Sequence, residues 1–325
     1  MKKLKTCSSL AFVFPGQGSQ TVGMLGEVAA RYPMLLETFD EASTVLDLDL
    51  WQLASQGPAE WLGRTELTQP LMLTGGVALW RVWCSISDLR PGLLAGHSLG
   101  EYSALVAAGS LTFSDALKVA ATRGRLMQAA VPAGQGAMAA ILGLADETVE
   151  AICREVAEQQ VVAAANYNSP GQVVIAGEST AVERAIRACQ EAGARRAVKL
   201  PVSVPAHCRL MAPAAEGLRA ELETISIEAP RIPVVHNADL ACHQSPESIR
   251  ATLVAQLCAP VRWTAIVRHL GQTGATIVAE CGPGRVLSTL GRRIDRTQAW
   301  LALDAADGFD LLRKALTADM SHRDE

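Results

Sequence analysis

The chain has 325 residues, 49% of them hydrophobic and 19% charged, with a formal net charge of −4. Such a length and apolar share support one large domain, or a domain carrying an insertion, around a substantial core. The acidic balance argues against a general nucleic-acid binder, and eight scattered cysteines without a C-x-x-C pair point to neither a zinc site nor a disulfide framework.

Met1-Lys2-Lys3-Leu4-Lys5 resembles the basic start of a signal peptide. The apolar run behind it covers only 10–14 before Pro15-Gly16, too short for the apolar region of such a signal. No stretch approaches the ~20 apolar residues of a membrane span. The expected location is the cytoplasm, with no membrane association. Residues 10–14 read as a buried parallel strand. Gly16 and Gly18 follow, but Thr21 stands where the third glycine of a dinucleotide loop would be, so that reading is rejected. An amphipathic helical pattern covers 27–53, and a helix over 70–83 starts with Pro70 near its first turn. Gly75-Gly76 inside it imply close packing against a neighbour.

The apolar run Leu93-Leu94-Ala95 stops at Gly96, and a helix is predicted over 101–108. Between them Gly96-His97-Ser98-Leu99-Gly100 reads G-x-S-x-G, the strand-to-helix turn that lifts a serine hydroxyl into a cleft. Ser98 would sit at a helix N-terminus, where backbone N–H groups favour a developing oxyanion. A Gly-Ser turn without chemistry is the alternative. Thr112 and Asp115 then open a helix running to about residue 130. Its apolar face holds Ala116, Val119, Ala120, Met127 and also Arg123. A buried guanidinium needs a compensating anion. On these residues alone, an internal salt bridge or a side chain reaching back to solvent is the better answer to that need.

Over 134–203 the predicted order is strand 137–142, helix 146–157, strands 161–165 and 173–176, helix 180–192 and strand 197–200. This β-α-β-β-α-β order is ferredoxin-like. Val204-Pro205-Ala206-His207 leads into a helix over 209–222, and His207 is the candidate base. His97 adjoins the serine but is expected to point elsewhere, and His236, His243, His269 and His322 have no comparable context. A satisfied structural histidine is the competing reading of His207. No acid between Ser98 and His207 follows a core strand, so the third member of a hydrolase triad is missing. A strand over 232–236, a helix opened by Ser245-Pro246-Glu247, a strand over 275–279 and the turn Gly282-Pro283-Gly284 complete the core. Residues 320–325 read as a disordered polar tail.

Five motifs resemble, in order, the malonyl-CoA:acyl carrier protein transacylase family. They are Phe12-Val13-Phe14-Pro15-Gly16-Gln17-Gly18-Ser19-Gln20, Gly96-His97-Ser98-Leu99-Gly100-Glu101-Tyr102-Ser103, Asn166-Tyr167-Asn168-Ser169-Pro170-Gly171-Gln172, Val204-Pro205-Ala206-His207-Cys208 and Glu280-Cys281-Gly282-Pro283-Gly284. The likeness covers about 10–303. It implies an α/β fold: a hydrolase-like core with a parallel sheet (1–133 and 204–325) and an inserted ferredoxin-like subdomain (134–203), with the cleft between them.

The resemblance also implies the chemistry. Ser98 would accept a malonyl group from malonyl-CoA and pass it to the phosphopantetheine thiol of an acyl carrier protein, for fatty acid biosynthesis. His207 would be the base, oriented by the backbone carbonyl of Gln256 in place of an acid. Backbone N–H groups of Leu99 and Gln17 would hold the oxyanion, and Arg123 would grip the malonyl carboxylate. No metal or bound cofactor is required. An acyltransferase of a malonate decarboxylase or polyketide synthase system is the alternative. A thioesterase would give Arg123 no purpose, and a non-catalytic module would leave Ser98 unlabelled. Ala206 stands where many relatives carry Ser, and Tyr167 where Phe is frequent. Arg195-Arg196 with Lys199, and Arg292-Arg293 with Arg296, are the candidate docking patches for an acidic carrier.

Overall fold

The structure is a computed structural model and describes residues 4–202 and 204–323. Residues 1–3 of the basic N-terminal stretch, Ser203 and the last two residues of the tail lie outside them. Strand β1 (Lys5–Phe14) ends in an unbroken apolar run because both its faces are covered. Leu10, Phe12 and Phe14 enter one buried cluster, while Ala11 and Val13 enter another on the opposite side. That alternation is the period of a strand, and a run apolar throughout is the mark of a parallel strand between two helical layers.

Four short helices follow: α1 (Gly26–Arg31), α2 (Met34–Leu46), α3 (Leu50–Gln56) and α4 (Ala59–Leu62). The single helical pattern expected over 27–53 is thus three helices. The breaks fall at Pro33 and at Asp47, whose φ of 51° is left-handed. Helix α5 (Thr65–Ile86) begins earlier than expected and carries Pro70 in its interior, not its first turn. Gly75 and Gly76 pack it against Pro283 and Cys281 as predicted.

Strand β2 (Leu89–Gly96), helix α6 (Gly100–Ala107) and helix α7 (Phe113–Ala130) come next. Thr112 caps α7 by accepting from the Asp115 N–H. The β-α-β-β-α-β segment is present as β3 (Gly136–Leu142), α8 (Asp146–Val156), β4 (Val162–Ser169), β5 (Gln172–Glu178), α9 (Ser179–Glu191) and β6 (Arg196–Lys199). β4 runs further than predicted and takes in Asn168 and Ser169, so the hairpin turn is only Pro170-Gly171. The chain returns through a 3-10 turn (Arg209–Met211) into α10 (Ala212–Glu223), β7 (Val234–Val235), α11 (Pro246–Gln256), α12 (Trp263–Gln272), β8 (Ile277–Glu280), α13 (Val286–Ile294), β9 (Ala299–Ala302) and α14 (Gly308–Arg323). β7 is shorter than predicted and β9 was not predicted. α14 carries helix to Arg323, where a disordered tail from 320 was expected.

The first sheet has the order β7-β2-β1-β8-β9 and every pair is parallel. The second has the order β4-β5-β3-β6 and every pair is antiparallel. Backbone bonds from Tyr167 N–H to the Val261 carbonyl and from Val261 N–H to the Ala165 carbonyl tie β4 to the segment before α12. Among the described residues, no helix is long and apolar enough to cross a membrane.

Candidate active site

Ser98 lies in the turn between β2 and α6, with φ of 53°. A non-glycine residue is held in that region only where its surroundings enforce it. Here they do. A Cβ at Gly96 would strike the Gly100 backbone, and one at Gly100 would strike the Phe14 carbonyl. Both positions therefore require glycine. Asn237 clamps the same turn: its Oδ1 accepts from the Ser98 N–H at 2.7 Å and its Nδ2 donates to the Gly96 carbonyl at 2.6 Å.

His207 also has a left-handed backbone, φ 63°. Its Nε2 lies 2.8 Å from Ser98 Oγ, and its Nδ1 lies 2.9 Å from the Gln256 carbonyl oxygen. A carbonyl only accepts, so Nδ1 carries the hydrogen and Nε2 turns a lone pair to the hydroxyl. Burial, reinforced by the Arg123 charge, pushes the imidazole down from 6.5 to about 3.

Arg123 projects from α7 and is 1% exposed. Nη1 donates to Gln69 Oε1 at 2.8 Å, while Nη2 donates to Gln256 Oε1 at 3.0 Å and to Ser98 Oγ at 3.2 Å. Nε has no partner. Among the described residues Arg123 forms no ion pair, so the internal salt bridge weighed from the sequence does not hold, and its burial removes the solvent-reaching alternative. All of these acceptors are neutral.

A further buried layer supports this set. Gln256 Nε2 donates to the Ser98 carbonyl at 3.1 Å and to Glu101 Oε2 at 2.8 Å. Glu101 is 0% exposed. Its Oε2 also accepts from the Asn237 N–H at 2.9 Å, and its Oε1 meets His236 Nδ1 at 2.7 Å. Burial lowers the His236 pKa, but the Glu101 carboxylate outweighs it and the net direction is upward.

Ser98, His207, Arg123, Leu99 and Gln17 all line one cavity of about 820 Å³. Met138 and Val174 of the antiparallel sheet line it too, as do Leu287 and Leu290 of α13. Leu99 occupies the N-cap position of α6. His97 corrects the sequence reading. The reversal of the chain at Ser98 turns its ring into the same cavity, where Nε2 meets Asn168 Oδ1 at 3.0 Å.

Residues 11–298 match the acyl transferase domain family. The malonyl CoA-acyl carrier protein transacylase of Escherichia coli K12 is 54% identical over 297 residues, 91% of this chain and 96% of that protein. The enzyme of the same name from Bacillus subtilis is 41% identical over 310 residues, covering 95% and 98%. The chain belongs to the malonyl CoA-acyl carrier protein transacylase family. A solved member from Xanthomonas oryzae pv. oryzae superposes with a TM-score of 0.94 at 51% identity, covering 96% of this chain and 99% of that one. A malonyl-transacylase solved in complex with a type II PKS acyl-carrier protein superposes with a TM-score of 0.91 at 51% identity, covering 93% and 97%.

Within this family member the sequence reading missed Gln69, Asn237 and the buried Glu101–His236 pair, and it used Gln256 only for its carbonyl. One signal was available for the two glutamines. Gln69 precedes Pro70-Leu71-Met72-Leu73 and Gln256 follows Leu253-Val254-Ala255, so each is an amide set among apolar residues. A buried amide must find partners. Of the two basic clusters, Lys199 is paired with Glu183 at 3.2 Å. Arg292 donates to the Trp300 carbonyl at 2.7 Å, and Arg293 to Gln172 Oε1 at 3.2 Å.

Proposed function

We propose that this cytoplasmic acyltransferase moves the malonyl group of malonyl-CoA to the phosphopantetheine thiol of an acyl carrier protein through a malonyl-Ser98 ester, in fatty acid biosynthesis. One observation carries the residue roles: His207 and Arg123 converge on Ser98 Oγ, and among the described residues the buried Arg123 has no anionic partner of its own.

His207 Nε2 takes the hydroxyl proton as Oγ bonds to the thioester carbonyl carbon. The carbonyl π electrons move to oxygen, and the backbone N–H groups of Leu99 and Gln17 hold that oxyanion. The tetrahedral species collapses, the C–S bond breaks, and the CoA sulfur leaves with the proton from His207. The carrier's thiol then gives His207 its proton and attacks the ester carbon, returning Ser98 to its hydroxyl form. Arg123 meets the malonyl carboxylate with a planar fork that a lysine lacks. Gln256 fixes the His207 tautomer through its carbonyl without adding a full charge. No bound cofactor enters. Residues 134–203 act as the ferredoxin-like subdomain closing one side of the cleft over a core of 1–133 and 204–325.

Intact mass spectrometry after mixing with malonyl-CoA tests this reading. The protein should gain one malonyl group, mapped to Ser98, and lose it to holo carrier protein. Ser98→Ala should gain nothing. An adduct on Ser19, Ser103 or a cysteine would reject it. The likeness to a transacylase bound to a polyketide carrier supports a second reading of the acceptor alone. Comparing kcat/KM for a fatty-acid carrier and a type II polyketide carrier separates the two.

A further inference from the structure

The geometry points to Glu101 as a positioning residue that sets malonyl selectivity through Gln256 without touching substrate. The inference rests on Arg123 being the carboxylate clamp. Glu101 is fully buried on α6, and three donors converge on it: His236 Nδ1, the Asn237 N–H and Gln256 Nε2. Its Oε2 accepts from both the Asn237 N–H and Gln256 Nε2. It therefore dictates which end of the Gln256 amide faces it.

That choice reaches Arg123. With Nε2 donating to Glu101 and to the Ser98 carbonyl, Gln256 Oε1 must face the guanidinium, where it accepts from Nη2 at 3.0 Å. Turning the amide over would set NH2 against a guanidinium that only donates, and oxygen against the accepting Oε2 of Glu101. Both contacts would be repulsive. Gln69 Oε1 holds Nη1 in the same manner from α5. The fork is thus pinned at both terminal nitrogens by amide oxygens, and Nη2 is aimed at Ser98 Oγ. Glu101 has a second arm. By fixing the Asn237 backbone it steadies the side chain that bridges Gly96 and Ser98.

A purely structural Glu101 would hold α6 against β7 and affect every acyl group alike. The ratio of malonyl to acetyl kcat/KM separates the two roles, because it does not depend on the fraction of protein folded. Glu101→Met removes the acceptors at nearly constant volume. The ratio should fall about tenfold or more, the scale of one lost charge-assisted hydrogen bond. Glu101→Gln keeps an acceptor toward Gln256 and Asn237 and turns its NH2 to a neutral His236, so it should hold the ratio within about threefold of wild type. In an Arg123→Ala background, Glu101→Met should leave the ratio where Arg123→Ala put it. If Glu101→Met yields no soluble protein, Glu101→Asp, which draws the oxygens back by one methylene, should give the same fall. An unchanged ratio in the Met or Asp variant, a Gln variant as unselective as Met, or an equal fall without Arg123 overturns the inference. If Arg123→Ala itself leaves the ratio unchanged, the reading of Arg123 fails instead.

Discussion

Arg123 Nη2 and His207 Nε2 meet the same oxygen, Ser98 Oγ, at 3.2 and 2.8 Å. The two groups have opposite demands. In the proposed mechanism the neutral imidazole accepts the hydroxyl proton, while the cation donates toward the oxygen that would become the nucleophile. Once Oγ carries a malonyl ester, the acyl carboxylate lies only a carbonyl and a methylene beyond it. A guanidinium already within hydrogen-bond reach of Oγ is placed to meet that carboxylate. It is also buried among neutral acceptors, so no protein anion must be displaced first.

Arg123→Ala should therefore lower malonyl transfer on the order of 10²-fold or more, the scale for losing a buried polar partner to a substrate group. Acetyl transfer, which has no carboxylate to place, should persist or rise in relative terms. Thermal unfolding should show a folded protein, since the partners left behind, Gln69 and Gln256, are uncharged. Arg123→Lys should not restore malonyl transfer, because an ammonium cannot reproduce the fork. Equal loss of both acyl transfers would make Arg123 a structural residue.

Gly100→Ala probes the elbow. Its Cβ would land on the Phe14 carbonyl at the end of β1. Backbone at both sides of the clash leaves little to relax, so the destabilisation should reach the upper end of overpacking costs, about 3 kcal/mol or more. Malonyl and acetyl transfer should fall together, because the shift displaces Ser98 itself. Urea unfolding with parallel acyl assays reads both. An unchanged midpoint would mean the turn is looser than its contacts imply.

Local pattern singled out three positions that the fold brings together, with two glycines around Ser98, a proline shortly before His207 and an arginine on an apolar face at 123, while the roles proposed for His207 and Arg123 came from the family resemblance. The layer beneath was not. Ser98 N–H meets Asn237 across 139 residues of chain, and Arg123 meets Gln69 across 54. No spacing encodes such pairs; packing creates them. The same holds for His97, where the left-handed φ of Ser98 accompanies three consecutive residues, His97, Ser98 and Leu99, on one cavity wall. The strand pattern of β1 was readable since both faces are buried. The amphipathic run over 27–53 was not divisible, because the same apolar stripe continues across Pro33 and Asp47. β9 has only four residues at a sheet edge, too few to declare a period. The C-terminal helix was not read from the sequence; its buried Phe309, Leu312 and Leu316 anchor it. Extending a helix already nucleated is cheap, so polar residues continue it to Arg323.

Carrier docking should favour the basic end of α13 over β6. The first turns of α13 put Val286, Leu287 and Leu290 on the cavity wall, as Leu200, Pro201 and Val202 do after β6, so both clusters border the cavity that a carrier's thiol must reach. Lys199 of the β6 cluster is already paired with Glu183. Arg293→Glu should raise KM for carrier protein by about two- to fivefold, the worth of one exposed ion pair, with the effect fading at high salt. Acylation by malonyl-CoA alone should not change. Arg196→Glu should do less. The reverse ranking, read from steady-state transfer at two salt concentrations, would move the patch to β6.

The last prediction concerns pH. A general base must be neutral, and an ordinary histidine begins to lose that form below 6.5. His207 is held at about 3, first by burial and then by the Arg123 charge. The sign follows directly. A depressed pKa keeps the base free as pH falls, so kcat/KM for acylation should stay flat through 6.5 and bend only toward 3. The same shift makes acid destabilising. Between those two values the unfolded chain takes up a proton that the folded chain refuses, so this contribution to stability is complete above 6.5 and declines below it. Loss of fold, rather than titration of the base, should therefore set the acid limit. Acetyl-CoA is the substrate to use, because it brings no carboxylate to Arg123. In Arg123→Ala the Coulombic push is gone, and the acid limb of acetyl transfer should move upward, toward the ordinary imidazole range. Initial rates from pH 4 to 8, divided by the folded fraction measured at each pH, should stay flat for wild type and bend within that range for the variant. If the corrected profile of the variant is as flat as that of wild type, the Arg123 charge does not act on His207, and the depressed base must be explained by burial alone.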